Sequence, residues 1–151
     1  MIHGVHVAPL EPKVDDRGRV MELLRADAPD FTAFGQVYLA TAFPGVVKAW
    51  HTHRRKVEYL VCVAGMVKVA LFDPRPDSPT RGEVDEFFIG VWRPQRLCVP
   101  TGVWHGLKCI STGEALVIIT ASELYNPADP DEVCLPPDSP EIPYAWERED
   151  G

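Results

Sequence analysis

The sequence predicts an all-β fold, with short strands arranged as a sandwich or barrel in one domain. No long segment keeps the apolar period of 3.6 residues that an amphipathic helix requires. Short runs rich in β-branched and aromatic residues recur instead, separated by Pro, Gly and Asp. The 151 residues are enough to bury one core. Many short strands in one small domain are typical of sandwiches and barrels.

Predicted strands follow one another along most of the chain. They cover residues 5–9, 19–24, 36–43, 46–53, 57–65, 66–73, 85–91, 95–102, 104–110 and 114–124. One short helix is predicted near residues 25–34, and the polar, Pro-rich segment 73–83 predicts a turn region. From about Asn126 the chain is rich in Pro, Asp and Glu, which predicts an irregular tail over the body of a single domain, 1–151.

Composition and charge exclude several classes of protein. The formal net charge of −7 argues against non-specific nucleic-acid binding, so any anionic ligand needs a local basic cluster. No apolar run is long enough to span a bilayer, and the start lacks the basic-then-apolar order of a signal peptide. The four cysteines have no CxxC spacing, and three lie in apolar runs. We therefore expect buried free thiols in a reducing cytoplasm.

The stretch from Gly45 to Gly65 concentrates the polar side chains with chemical potential. Residues two apart in a strand point to the same face, so His51 and His53 project together. Glu58 lies on one face of the next strand and meets both histidines if the two strands pair. This arrangement predicts a site rather than a charged hairpin.

A second polar cluster lies at "VPTGVWHGL", where a turn precedes His105 at the start of another strand. With this histidine, His51, His53 and Glu58 make a set of three histidines and one carboxylate. Such a set suits Fe, Mn, Ni, Cu or Zn, with positions left open for substrate. The alternative is that these side chains only line a solvated or hydrogen-bonded barrel mouth.

The spacing Gly, five residues, His-Thr-His, four residues, Glu, six residues, Gly matches the first motif of the cupin superfamily. "PTGVWH" is similar to the core of the second cupin motif, although Cys109 stands where that motif ends in Asn. The resemblance covers most of the chain. It implies a double-stranded β-helix, or jelly-roll, barrel.

Other segments resemble one cupin group more narrowly. "DDRGRVMEL", "FDPRPDSPTRGE", "VPTGVWHGLKCIS" and "ELYNPADPDE" are similar, in this order, to segments of the dTDP-4-dehydrorhamnose 3,5-epimerase family. The resemblance runs nearly end to end and implies a nucleotide-linked 4-keto-6-deoxy sugar as substrate, with no metal or other cofactor. Epimerisation next to a ketone requires a base, a group that stabilises the enolate oxygen, and an acid on the other face.

The resemblance also assigns roles by position. His51 matches the base, with Asp138 as its carboxylate partner, and Tyr125 matches a tyrosine of the active cleft. Lys56 or His53 would stabilise the enolate oxygen. The residues matched to nucleotide-sugar binding are Arg17, Glu22, Gln36, Lys48 and His105. Trp104 joins them as a side chain able to stack on a base or sugar.

Three positions depart from the epimerase pattern. The family's acid tyrosine aligns with Ile119, its enolate-stabilising lysine with Glu58, and an aspartate with Val69. A sister group, the sugar-nucleotide 3,4-ketoisomerases, carries a His-x-His and a Trp-His as this chain does. That group lacks the "DPRPDSPT" segment, so the sequence combines features of both.

Three functions therefore stay open. The first is an epimerase or isomerase with His51 as base, and the second is a metal-dependent cupin enzyme. The third is a non-catalytic sugar-binding cupin, because Ile119 and Val69 replace family positions. Apolar outer faces of several strands, together with the resemblance, predict a homodimer, with no nucleic-acid or membrane partner.

Overall fold

The computed structural model describes residues 1–148, and its regular elements are β-strands joined by turns and bends. The strands are β1 (His6–Pro9), β2 (Lys13–Asp15), β3 (Gly18–Val20), β4 (Gln36–Ala42), β5 (Val47–His53), β6 (Glu58–Ala64), β7 (Met66–Phe72), β8 (Val84–Gly90), β9 (Gln95–Val99), β10 (Trp104–Cys109), β11 (Ala115–Ala121) and β12 (Glu132–Cys134). Within residues 1–148 there is no helix long and apolar enough to cross a membrane.

Two antiparallel five-stranded sheets form the body of the protein. The first sheet has the order β1-β9-β6-β11-β4, and the second has the order β12-β5-β10-β7-β8. Strands β2 and β3 form a separate hairpin near the N-terminus. The predicted double-stranded β-helix of the jelly-roll type is thus confirmed.

Alternation along the strands creates two apolar clusters. On β7, Val67, Val69 and Leu71 are fully buried in the main core between the sheets. Side chains on the opposite face of the second sheet, including Trp50, pack under the C-terminal tail through Trp146. The tail therefore covers the outside of the sheet whose inner face carries His51 and His53.

Two glycines of the first cupin-like motif occupy turns that disfavour other residues. Gly45 precedes β5 with φ 77°, and Gly65 joins β6 to β7 with φ 70°. A Cβ at Gly65 would lie 2.6 Å from the Ser111 hydroxyl oxygen. The two glycines therefore delimit the β5–β6 segment on which the predicted site lies.

The "DPRPDSPT" segment makes a self-contained turn between β7 and β8. Asp73 is fully buried, and its carboxylate accepts hydrogen bonds from Arg75, Ser78 and Thr80. Arg75 also donates to the carbonyl oxygen of His3. These contacts anchor the N-terminus to the barrel, so the motif has a structural role.

Some predicted elements differ from the structure. The helix expected near residues 25–34 is wrong, because this Asp- and Pro-containing segment forms turns, with Arg25 bridging Glu22 and Asp27. The strand expected over 19–24 ends at Val20, which pairs with Lys13, the first residue of its hairpin partner. Between residues 126 and 148, the tail contains one strand, β12, that was not predicted.

The cysteine prediction is largely confirmed. All four cysteines are free, and Cys62, Cys98 and Cys109 are buried. Cys134 differs, because it lies exposed on β12. It is the one thiol of this protein that solvent can reach readily.

Candidate active site

A buried carboxylate, Glu58 on β6, is the centre of a polar cluster inside the barrel. Its Oε1 accepts a hydrogen bond from the Tyr38 hydroxyl at 2.9 Å and lies 3.2 Å from Nε2 of His53. Its Oε2 lies 3.1 Å from Nε2 of His105. Burial opposes ionisation of Glu58, but the hydrogen bonds from His105 and His53 outweigh it and hold the pKa far below its ordinary value. Glu58 is therefore a fixed negative charge.

Both imidazole rings of this cluster are held tightly. Nδ1 of His105 lies 3.3 Å from the carbonyl oxygen of Val103, so each ring nitrogen of His105 faces an acceptor. Nδ1 of His53 is buried without a hydrogen-bond partner in residues 1–148, and lies 3.9 Å from Asp131 Oδ2. His53 and His105 therefore belong with Glu58 and are not free to move.

Asp131 fixes the turn between β5 and β6. Its buried carboxylate accepts hydrogen bonds from the backbone N–H groups of Arg54, Arg55 and Lys56. Burial opposes ionisation of Asp131, but the hydrogen bonds from Lys56 and Arg55 outweigh it and lower the pKa of Asp131. The guanidinium of Arg55 pairs with Asp129 and so holds the tail against the same turn.

His51 has a different environment, at the half-exposed edge of the cluster. Its Nδ1 lies 3.2 Å from Glu132 Oε1 and 3.5 Å from Cys134 Sγ. The register of β12 against β5 produces these contacts, since Cys134 is opposite His51 and Glu132 is opposite His53. Nε2 of His51 makes no hydrogen bond within residues 1–148.

The electrostatic surroundings keep His51 neutral. Burial, followed by the nearby His105, lowers the pKa of His51 below its ordinary value of 6.5, and the negative charge of Glu132 opposes this shift. Nδ1 faces the Glu132 carboxylate, and a proton on Nδ1 leaves the free lone pair on Nε2. This is the tautomer that a general base acting through Nε2 requires.

Tyr38 supplies a phenolic hydroxyl close to Ile119, the residue that aligns with the acid tyrosine of the epimerase family. On β4, Tyr38 lies directly opposite Ile119 of β11, which in turn pairs with Leu60 of β6. Residues paired across antiparallel strands share a face, so Tyr38 and Ile119 both face the cluster. Burial, with the charges of Glu58 and Glu132, raises the pKa of Tyr38, which keeps the hydroxyl protonated.

Lys56 and Tyr125 lie together beside this cluster. The Lys56 side chain is buried, and its Nζ lies 5.9 Å from the centre of the Tyr125 ring. It forms no ion pair with any residue of the described chain. The backbone N–H of Tyr125 donates to Gln36 Oε1 at 2.7 Å, so Gln36 positions the start of the tail.

Two predicted roles need correction. Asp138 is exposed and makes no contact with His51, because Glu132 on β12 occupies the position of the carboxylate partner. Trp104 packs against the Trp50 cluster under the tail, because successive strand residues alternate and it points away from the face that carries His105. Neither side chain lines the cleft.

Three of the predicted binding residues are exposed and lie outside the two histidine clusters. Arg17 pairs with Asp15 in the β2–β3 hairpin, and Glu22 binds Arg25. Lys48 is exposed on β5, three residues before His51. Their contact with a substrate stays a prediction.

The predicted four-ligand metal set is divided between two groups. His53, Glu58 and His105 place one ligand atom each within 4.8 Å of one another, and their donor chemistry fits a transition metal. His51 instead forms a second such group with Glu132 and Cys134. Sequence reasoning missed Glu132 and Cys134. The only indication in the sequence is that they stand two residues apart, on either side of Val133, as same-face residues of a strand do.

Comparison with known proteins places this arrangement in a family. The model of the polysaccharide biosynthesis C-terminal domain matches residues 13–133. The chain belongs to this polysaccharide biosynthesis family. It is 39% identical over 150 residues to a probable low-salt glycan biosynthesis epimerase of Haloferax volcanii, covering 98% of this chain and 96% of the relative.

Further similar proteins are also named for polysaccharide biosynthesis or for the isomerisation of sugars. A spore coat polysaccharide biosynthesis protein of Bacillus subtilis is 37% identical over 149 residues, covering 99% of each chain. A crystal structure of a dTDP sugar isomerase from Desulfovibrio desulfuricans superposes with a TM-score of 0.92 at 29% identity, covering 99% of this chain and 94% of that one. A 4-keto-6-deoxy sugar epimerase from Streptomyces spheroides gives 0.84 at 27% identity, covering 97% and 76%. The predicted resemblance to sugar epimerases is confirmed.

The pairing of Glu132 with His51 predicts a measurable titration. Replacing Glu132 by Gln removes the negative charge that raises the pKa of His51, so this pKa, already below 6.5, should fall further. An NMR titration of the imidazole signals measures it. The exposed Glu141→Gln variant is the control and should leave the titration unchanged. A His51 pKa that rises or stays the same in Glu132→Gln would contradict the pairing.

Proposed function

We propose that this protein is an epimerase or isomerase that moves a proton next to the ketone of a nucleotide-linked 4-keto-6-deoxy sugar. The observation that carries this proposal is the His51–Glu132 pair at the half-exposed edge of the Glu58 cluster, with Nε2 of His51 free of hydrogen bonds to the described residues. Relatives named as glycan epimerase and dTDP sugar isomerase support it. The chemistry uses acid and base groups of the chain and needs no cofactor.

Proton removal is the first step. Nε2 of His51 takes the proton from a carbon adjacent to the C4 ketone, so a C–H bond breaks and an N–H bond forms. The resulting imidazolium is stabilised by the Glu132 carboxylate at Nδ1. Glu132 therefore orients the ring and offsets the positive charge that develops on it.

The electron pair left by the proton moves to the ketone oxygen, which becomes an enolate. Lys56 is the cation best placed to stabilise this oxygen, since its ammonium has no ion-pair partner in the described chain. His53, the other predicted candidate, is hydrogen-bonded to Glu58. A positive charge in a site shielded from water stabilises an enolate more than it would in bulk solvent.

Return of the proton to the opposite face requires a second group. Tyr38 is our proposed donor, because its protonated hydroxyl faces the cluster beside Ile119. Its O–H bond breaks as the new C–H bond forms, and solvent restores the proton, since the residue is 39% exposed. Tyr125 is the alternative donor, at the start of the tail.

Substrate binding is proposed for the residues that the resemblance matched to it. Arg17 and Lys48 would neutralise the diphosphate, with Glu22, Gln36 and His105 contacting the rest of the nucleotide sugar. Several crystal structures of the same fold were determined with dTDP or dTDP-sugar ligands. We propose a cytoplasmic site of action, where the free thiols of this chain stay reduced.

The proposed chemistry predicts exchange of substrate hydrogen with solvent. Incubation with dTDP-4-keto-6-deoxyglucose in D₂O should place deuterium at C3 or C5, and His51→Asn should slow the exchange about 100-fold or more. His6→Asn, an exposed histidine on β1, is the matched control. NMR and mass spectrometry detect the label, and appearance of a 3-keto sugar would identify a ketoisomerase. Absence of exchange in the wild-type protein would contradict the function.

A separate prediction concerns the group that donates a proton to the opposite face of the sugar carbon. Tyr38→Phe should keep the exchange that His51 performs, because the base can return a proton to the same face, yet should lose inversion at the exchanged carbon. The product configuration is read from NMR coupling constants. Loss of inversion in Tyr125→Phe instead, with Tyr38→Phe fully active, would assign the donor to Tyr125.

We further propose that the protein works as a homodimer. Strand β4 is at the edge of the first sheet, and exposed apolar side chains lie on β4, near its two ends and on the β2–β3 hairpin. This arm surface consists of Val14, Val20, Phe34, Val37, Leu39 and Phe43. An open edge strand with an apolar surround suits pairing with a second copy.

If the arm surface is the dimer contact, a charged substitution on it should lower the mass of the particle in solution from dimer toward monomer. The wild-type protein should elute as a dimer in size-exclusion chromatography with light scattering, and Val20→Glu should shift it toward monomer, because a charge would be buried at the contact. Val20 is 70% exposed, so folding of the monomer should be unaffected. Trp92→Glu, on the β8–β9 connection, is the control. A wild-type monomer would overturn the proposal.

A further inference from the structure

Three donor atoms of different chemistry converge on one point at the edge of the cleft. They are His51 Nδ1, a Glu132 carboxylate oxygen and Cys134 Sγ, which lie within 4.8 Å of one another. We call this group the His51 triad. We propose that the His51 triad binds a thiophilic divalent ion such as Zn²⁺, and that the bound ion switches off His51 as a base.

The spacing of the His51 triad fits tetrahedral coordination. Zinc bonds of about 2.05 Å to nitrogen and oxygen and 2.3 Å to sulfur imply N···O and N···S separations of roughly 3.3 and 3.6 Å. The observed distances from His51 Nδ1 are 3.2 Å to Glu132 and 3.5 Å to Cys134. An ion could therefore bind with small side-chain movements, and a fourth position would stay open.

The ligand atoms of the His51 triad favour some metal ions over others. A thiolate and an imidazole favour Zn²⁺ and similar transition metals over Mg²⁺ and Ca²⁺, which prefer oxygen. The strand that carries two of these ligands, β12, is exposed along its length, so an ion can enter from solvent. On binding, the Cys134 S–H bond breaks, the sulfur bonds to the metal, and the proton leaves to solvent.

The His51 triad is distinct from the neighbouring group of possible ligands. His53, Glu58 and His105 contain no sulfur, and they are buried. Both oxygens of Glu58 already accept hydrogen bonds, one of them from Tyr38. A metal–thiolate signal can therefore report the His51 triad alone.

The effect on catalysis follows from the tautomer of His51, and it rests on the proposed function. A neutral imidazole has one N–H and one lone pair. In the base form that the proposed function requires, Nδ1 carries the proton, facing Glu132, and the lone pair is on Nε2. A metal at Nδ1 takes the lone pair on that side, so the proton must be on Nε2. Nε2 then becomes a donor and cannot abstract a proton.

The test uses Co²⁺, whose thiolate complexes have a near-ultraviolet charge-transfer band. Stoichiometric Co²⁺ should produce this band in the reduced wild-type protein, and Zn²⁺ should displace it. Cys134→Ser should abolish the band, and Glu132→Gln should weaken the affinity at least about 10-fold, since each removes one of three ligands. Both residues are exposed, so the variants should fold. Glu141→Gln is the matched control and should bind as the wild-type protein does.

Two results would overturn the proposal. One is the absence of a thiolate band at stoichiometric Co²⁺, and the other is a band that persists in Cys134→Ser. In the deuterium-exchange reaction, Zn²⁺ should inhibit the wild-type protein, and Cys134→Ser should resist it. Thiolate-dependent binding with unchanged exchange would overturn the proposed switch. If the wild-type protein has no exchange activity, the spectroscopic test of the site still applies.

Discussion

A buried carboxylate needs hydrogen-bond donors in direct contact with it. The polar interior of this protein is arranged to provide them for Glu58. Glu58 is 2% exposed, and the imidazoles and the phenol around it come from strands of both sheets. An unpaired charge at this depth would cost several kcal/mol, so these partners must be present together. The requirement links β4 and β6 of the first sheet to β5 and β10 of the second, and sets the geometry of the cleft.

The two polar groups of the cleft differ in ways that suit different tasks. Glu58, His53 and His105 are buried, and both oxygens of Glu58 accept hydrogen bonds, which fixes its charge. The His51 side chain is half-exposed and neutral, and its Nε2 makes no hydrogen bond within residues 1–148. Pairs of titratable groups whose surroundings separate their protonation behaviour are typical of acid–base enzymes. The fold thus supplies a rigid electrostatic frame and, at its edge, a group free to exchange protons.

The sequence allowed much of this to be predicted, for identifiable reasons. Period-2 alternation gave most strands, and it correctly placed His53, Glu58 and His105 together because each lies in a long, regular strand. Glu132 was missed because its strand has three residues in a polar tail and pairs with a strand far away in sequence. Tyr38 was missed because its role depends on the register of β4 against β11, which one sequence does not reveal.

The shortness of β12 has a consequence for how activity is lost. This edge strand has three exposed residues. Its ties to the barrel include backbone pairing with β5, the contacts of Asp129 and Asp131 with the β5–β6 turn, and the backbone hydrogen bonds between Leu135 and Trp50. Segments of this kind open at a small fraction of the global free energy of unfolding. Detachment of β12 would release Glu132 while both sheets stay intact. In the proposed mechanism, catalytic competence therefore depends on a local equilibrium of the tail as well as on the stability of the barrel beneath it.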